Sequence, residues 1–486
     1  MNSNYTGFIQ AKNGWLIPVK NNTAFHSKYN PEKEALDFAS QFSIQDRFII
    51  TGGICGGYHL QKLLESGTRT ILAVENTEND IAFLLQNESL KKLLQNPNLH
   101  FCTPETLFKK IISLYLPAFH GQLKVLNLRS WENVFPETIQ KIRYVVSEAL
   151  KSVSSDFSVQ ARFGKIWHKN ILSNLSFADK AVSFNEFKKN IDPVLNQKKA
   201  AVIAAGPGLD SAIEELKNNR NEYYIISTDT AFSALSKQGI KSDAVVSIDG
   251  QRLSSNHYLQ EISPETTLFL DLCTDTSISK KAFRHNLKVV YFESGHPLSV
   301  LASMSGCNDN QRNFIHLEAG SGTVTIAALD LAVKAGFMKQ EVFGADFSYS
   351  EGKTYTKGTY LENLYALNQS RLIPNETIWN KLLFRTELIK TGDNRYTTTV
   401  LRSYKESFES YRKKIKTTAL PEFNQFNFHI FNENYRNLKL SLPEKFQEVS
   451  LCPALFMILP LMAFYEKTES LEKSYELARC KVLQYN

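Results

Sequence analysis

Five segments of this chain place glycine, hydroxyl or carboxylate residues directly after a short apolar run. They are Gly206-Pro207-Gly208, Thr228-Asp229-Thr230, Asp249-Gly250-Gln251, Gly320-Ser321-Gly322-Thr323 and Gly344-Ala345-Asp346. Glycines that open a helix let backbone N–H groups approach an anion, and the helix dipole favours negative charge there. Asp210, just inside the helix after Gly208, is placed to cap it. The carboxylates of Asp249 and Asp346 suit sugar hydroxyls, and Asp229 adds a third acid to the same rim. Any one of these turns alone is as well explained as a plain loop, but five on one rim point to a nucleotide-type site. A sixth segment, Thr51 to Gly57 (TGGICGG), follows a strand and is trailed by Glu75 at the end of the next. That layout suits a nucleotide pocket with the acid on ribose hydroxyls, although its spacing fits neither the dinucleotide nor the methyltransferase fingerprint.

The elements that hold these turns are legible as alternating strands and helices. RFIITGG, RTILAVE, LHFCT and LKVLNLR read as four strands of a first parallel sheet, and Pro136 to about Leu175 as one long amphipathic helix. AAVIAAG, EYYIIS, AVVSID, TTLFLDL, KVVYFE and QEVFGADF read as strands of a second. Strands alternating with helices imply parallel sheets covered on both faces. Beyond about Asn363 helical spacing dominates. The expected fold is α/β, with two Rossmann-like parallel-sheet domains followed by a helical C-terminal region. The expected boundaries are 1–195, 196–362 and 363–486.

Length and composition restrict the partners. At 486 residues, with 43% hydrophobic and 22% charged residues, the chain is globular and too long for one ordinary core. The net charge of +7 is spread thinly, with no block of five or six basic residues, which argues against nucleic acid as a partner. Six cysteines without a CxxC read as thiols of a reducing cytoplasm rather than disulfides or a zinc module. The N-terminus carries no signal-peptide pattern. The longest apolar run, Leu451 to Tyr465, is short for a bilayer and contains Pro453 and Pro460. It reads as a buried helix pair broken at the prolines, so no stable membrane insertion is expected.

The segments GPGLDSAI, STDTAFSALSKQGIKSDAVVSIDGQ and GSGTVTIAALDLAVKAGF…EVFGADF resemble the central domain of the motility-accessory-factor family, the flagellin glycosyltransferases. The flanks AFHSKYNPEKEA, ARFGKIWHKNILSNL, RYTTTVLRSYKESFE and HIFNENYRNLKL resemble the same family. The chain departs from it at Gly208, where serine is commoner, and at Gly250, where proline is commoner. The central domain is also similar to bacterial sialyltransferases, which invert a cytidine-monophosphate-activated nine-carbon sugar acid. In that group a strand ending GxDF precedes two tyrosines that hydrogen-bond the departing phosphate. Gly344-Ala345-Asp346-Phe347, Tyr349 and Tyr355 match this order, with one residue more than the sialyltransferase spacing. The histidine expected after the tyrosines has no counterpart; His257 and His296, in loops after strands, are the candidate bases, with Asp249 or Asp346 as substitutes.

The resemblance implies a cytoplasmic, metal-independent transferase. It would move a pseudaminic- or legionaminic-like sugar from a CMP donor to Ser or Thr of flagellin, with no tightly bound cofactor. Gly206, Pro207, Gly208, Asp229, Asp249, Gln251, Gly320, Ser321, Gly322, Thr323 and Asp346 would bind the donor. A second relative of the central domain, hydroxymethyldihydropterin diphosphokinase, implies ATP and a magnesium ion held by Asp229 and Asp249. A third reading is a flagellin-binding factor with a vestigial pocket.

Overall fold

A computed structural model describes residues 3–43, 47–258, 261–320, 322–350, 352–361, 383–384, 386–392, 394–415 and 419–485. The expected boundary at 362/363 and the site residue Ser321 lie outside the described residues. The chain forms two compact units. One comprises Met1–Gly164, Glu444–Gln447 and Leu459–Asn486; the other comprises Lys165–Pro443 and Glu448–Ile458. The fold is α/β, with two parallel sheets and C-terminal helices.

In the first unit, strands β1 (Phe48–Gly52), β2 (Thr70–Val74), β3 (Leu99–Cys102) and β4 (Leu123–Val125) pair in parallel in the order β3-β2-β1-β4. Every residue of β1 and β2 is buried, as continuous apolar runs must be when both faces of a parallel sheet are covered. Helix α1 (Tyr58–Glu65) follows the glycine loop after β1. A small antiparallel sheet from Gly7–Gln10, Leu16–Lys20 and Thr23–Ala24 precedes them, which the alternation did not predict. Helix α2 (Pro136–Ala178) runs 43 residues without a break, three residues past the predicted end.

The second unit holds a seven-stranded sheet. Its strands are β5 (Lys199–Ile203), β6 (Tyr223–Thr228), β7 (Ala244–Ser247), β8 (Thr267–Asp271), β9 (Lys288–Glu293), β10 (Ile315–His316) and β11 (Gln340–Phe343). Their order is β10-β9-β8-β7-β6-β5-β11, all parallel. Period-two alternation builds two cores from one strand: Ala200 and Val202 of β5 join the cluster containing Phe187, Phe269 and Leu331, whereas Ala201 and Ile203 pack with Leu209, Ile213 and Leu235. The intervening helices include α3 (Leu209–Asn218), α4 (Asp229–Lys237) and α5 (Val324–Ala335). A three-stranded antiparallel sheet pairs Tyr349–Ser350 with Arg395–Thr397 and that strand with Ile389–Gly392, the last two inside the region read as helical.

Helices α6 (Thr399–Lys414), α7 (Phe428–Leu440), α8 (Pro453–Tyr465) and α9 (Leu471–Gln484) complete the C-terminal region. The predicted break at Pro460 does not occur. Helix α8 is one helix beginning at Pro453, where a missing N–H costs nothing, and it carries Pro460 inside. No described helix is long and apolar enough to cross a membrane.

Candidate functional site

Strands β5 to β10 are laid down in one direction, and β11 then returns to the opposite side of β5. The switch point of the sheet therefore lies between β5 and β11, where ligands of open parallel sheets bind. The turns after these two strands interlock. Gly206 donates its N–H to the Gly344 carbonyl (2.8 Å), and Gly208 donates its N–H to Asp346 Oδ2 (3.0 Å). A Cβ on Gly206 would stand 2.1 Å from Asp346 Oδ2, and one on Gly208 would stand 2.4 Å from Asp346 Oδ1. The glycines make room for the protein's own carboxylate, which is the anion at the start of α3. Pro207 completes the turn, its carbonyl accepting from Asp210 N–H (3.2 Å).

Asp210 does not cap α3. Its carboxylate accepts from the Thr356 hydroxyl and from Lys357 N–H (3.1 Å), with Lys353 Nζ at 3.5 Å, and so ties the segment after Tyr349 to α3. Phe347 has φ +49°, a left-handed conformation uncommon for a bulky residue. It is held there by Thr397, whose hydroxyl donates to the Phe347 carbonyl (2.9 Å), and by ring contact with Phe408. Tyr349 stands opposite Tyr396 in the short antiparallel sheet, and Tyr355 is 38% exposed.

Further along the rim, Asp229 Oδ2 accepts from the Ser247 hydroxyl (2.7 Å) and Oδ1 from Thr230 N–H (2.7 Å). Asp249 Oδ1 accepts from Gln251 N–H (2.9 Å). Burial pushes the Asp249 carboxyl above its ordinary range, Asp229 adds to this, and the Gln251 donors oppose it. His257 lies in the 3-10 turn Arg252–Tyr258, buried, with its ring edge-on to Tyr360 at 4.2 Å. Burial pulls its pKa down, and Asp229 and Asp249 pull it back up. His296 plays a structural part instead, because its Nδ1 accepts from Leu298 N–H (3.1 Å) and caps helix Pro297–Met304. Burial pushes His296 down to about 3.

The remaining predicted loop opens α5. Gly320 and Gly322 have φ +54° and +88°, and a Cβ on Gly322 would meet nothing within 4 Å. Thr323 is the N-cap residue of α5, without a side-chain cap bond.

Sequence reasoning misses four positions on this rim. Asp271 and Glu293 close β8 and β9, and their place as the last residues of apolar strands is the signal that could have found them. Burial pushes Asp271 up to about 6. Asn170 and Asn174 of α2 clamp the rim from outside: Asn170 Nδ2 donates to the carbonyls of Gly250 (2.9 Å) and Cys273 (3.0 Å), and Asn174 Nδ2 to those of Leu272 (2.9 Å) and Thr274 (2.7 Å). The segment ARFGKIWHKNILSNL that holds both carries the family resemblance, but it does not show what they bind, because their partners are distant in the chain.

The glycine loop of the first unit is filled by protein. Glu75 is fully buried and accepts from Tyr5 OH (2.9 Å), Trp131 Nε1 (2.6 Å), Ile54 N–H (3.1 Å) and Asn76 N–H (3.0 Å). Trp131 also covers Gly53, where a Cβ would stand 2.7 Å from its ring. The acid read as a ribose ligand thus has four internal donors.

Residues 169–352 match the family described as 6-hydroxymethylpterin diphosphokinase MptE-like. The chain is 34% identical over 174 residues, 35% of its length and 80% of the relative's, to an uncharacterized protein of Treponema pallidum (strain Nichols). It belongs to the same family as that protein. A second uncharacterized Treponema pallidum protein is 27% identical over 213 residues, 43% of this chain and 71% of that protein. Among solved structures, the MAf glycosyltransferase from Magnetospirillum magneticum AMB-1 superposes with a TM-score of 0.51 at 13% identity, covering 99% of this chain and 86% of that one. The chain has the motility-accessory-factor fold, and the interlocked turns lie within its MptE-like domain.

Proposed function

We propose that the chain is a glycosyltransferase that moves a nonulosonic sugar, of the pseudaminic or legionaminic type, from a CMP-activated donor to Ser or Thr hydroxyls of flagellin. The observation that carries this reading is the interlocked pair of turns, Gly206–Gly208 and Gly344–Asp346, at the switch point of an MptE-like sheet in a chain with the fold of a glycosyltransferase. The donor lies over the ends of β5, β6 and β11, with its phosphate towards the N-terminus of α5 at Gly322 and Thr323. The phenols of Tyr349 and Tyr355 donate to that phosphate as the glycosidic bond breaks, where negative charge develops. A cytidine monophosphate leaving group stabilised in this way needs no divalent cation.

Calorimetry with CMP tests the nucleotide half of the reading: binding at millimolar concentration or tighter supports it, and no binding favours a flagellin-binding factor. Transfer in excess EDTA tests the rest, and near-full activity is expected. The second reading, pyrophosphoryl transfer from ATP, has the name of the matched family in its favour. It requires magnesium held by Asp229 and Asp249, and among the described residues no group of three or more His, Cys, Asp or Glu could hold a metal ion, so the glycosyl-transfer reading is preferred. Activity that collapses in EDTA and returns with magnesium would reverse this preference.

A further inference from the structure

Asp210 lies in the first turn of α3, where a carboxylate favours the helix dipole without needing a hydrogen-bond partner. Asp346 already supplies an anion at that helix start, through its bond to Gly208 N–H. The hydrogen bonds of Asp210 go elsewhere. Oδ1 accepts from the Thr356 hydroxyl and from Lys357 N–H (3.1 Å), and Oδ2 lies 3.5 Å from Lys353 Nζ. One side chain therefore holds three residues, on both sides of Tyr355.

The same stretch is fixed at further points. Thr356 donates its N–H to the Ala205 carbonyl in the turn after β5 (2.9 Å). Ser350 and Lys353 exchange backbone hydrogen bonds (3.2 and 2.9 Å), and the Ser233 hydroxyl of α4 donates to the Gly358 carbonyl (3.0 Å). Thr356 is buried, whereas Tyr355 beside it is 38% exposed. The backbone is thus anchored around a tyrosine that stays open to solvent, and the anchor is set in the helix that the glycine turn opens.

We propose that Asp210 is a positioning residue, which fixes the backbone carrying Tyr355 against the glycine turn so that the phenol meets the leaving phosphate already in place. The inference rests on the glycosyl-transfer reading. Asp210 touches neither donor nor acceptor and takes up no proton. Its effect is on the loop: ordering these residues only at the moment of reaction costs backbone entropy, and a standing anchor avoids that cost.

The test uses the full chain with a CMP-nonulosonate donor and flagellin and follows CMP release in a double-mutant cycle. Asp210→Ala is expected to lower kcat about 10–50-fold with the donor KM within about twofold of wild type. The deciding variant carries Asp210→Ala and Tyr355→Phe together. Because Asp210 acts through the phenol, this double variant is expected to turn over within about twofold of Tyr355→Phe alone. Thr356→Val, a nearly isosteric change that breaks the same link from the other side, is expected to lower kcat at least about threefold and to add nothing to Tyr355→Phe. A double variant slower than Tyr355→Phe by the full factor of the second substitution overturns the inference, because a general loosening of the structure would add to the missing hydroxyl. Wild-type kcat in Asp210→Ala overturns it as well. In both cases the glycosyl-transfer reading stands. A wild-type chain that releases no CMP from such donors overturns that reading together with the inference.

Discussion

Gly208 gives its backbone N–H to Asp346 Oδ2 at 3.0 Å, so the glycine turn after β5 is locked to the acid after β11. The consequence is a division of labour on the rim. The anion place at the start of α3 is taken by Asp346, whereas the loop before α5 is open at Gly322, and the proposed function puts the donor phosphate there. An arrangement with charge-assisted backbone hydrogen bonds at a switch point is stiff, which suits a site that must hold a donor in one orientation.

Gly206→Ala is expected to disrupt this lock, because the new methyl would sit 2.1 Å from Asp346 Oδ2 and 2.5 Å from the Gly344 carbonyl. Overpacking of this kind costs about 1–3 kcal/mol, and a backbone carbonyl cannot move aside as a flexible side chain can. A fall in the urea midpoint together with weaker CMP binding is the expected result. Unchanged affinity would place the nucleotide away from this turn.

Tyr349→Phe and Tyr355→Phe each remove a phenol hydroxyl without changing the ring. If these groups stabilise the leaving phosphate, turnover is expected to fall about 10²-fold with little change in donor affinity. A parallel loss of binding would make them ground-state contacts instead.

Most of the fold was legible because both sheets are built from uninterrupted apolar runs punctuated by turns, and every strand predicted for them forms. What local pattern could not show is long-range pairing. The Glu75 carboxylate reads from its spacing as a ribose ligand, yet Tyr5 and Trp131, far apart in sequence, supply its donors. Asp346 likewise reads as a sugar ligand until its partner Gly208 is known. Pro460 reads as a helix breaker, but burial on a packed helix outweighs one lost hydrogen bond. The antiparallel strands near Tyr349 and Arg395 are too short to carry a periodic signal.

Glu75 is expected to make stability pH-dependent. Burial pushes its pKa up to about 7 from an ordinary 4.5, against the pull of its donors. The folded chain therefore binds the proton more tightly than the unfolded chain. Its contribution is fully present below about pH 4.5 and is lost as pH rises through 7, up to roughly 3 kcal/mol. Urea midpoints for wild type and Glu75→Gln between pH 5 and 8 measure it: the wild-type midpoint should fall with rising pH relative to the variant. Parallel curves would show that Glu75 ionises normally.

Gly164→Ala is expected to destabilise the first unit. A Cβ there would lie 1.9 Å from the Pro460 carbonyl oxygen, so α2 meets the second half of α8 backbone to backbone. A loss of about 1–3 kcal/mol is expected in chemical denaturation. Wild-type stability would mean that the two helices can part without cost.

The intact mass of flagellin after incubation with this protein and a CMP-nonulosonate tests the account most directly. The expected result is an increase by whole nonulosonate residues, with one CMP released for each. An unchanged flagellin mass, with the donor intact in the presence of folded protein, would contradict it.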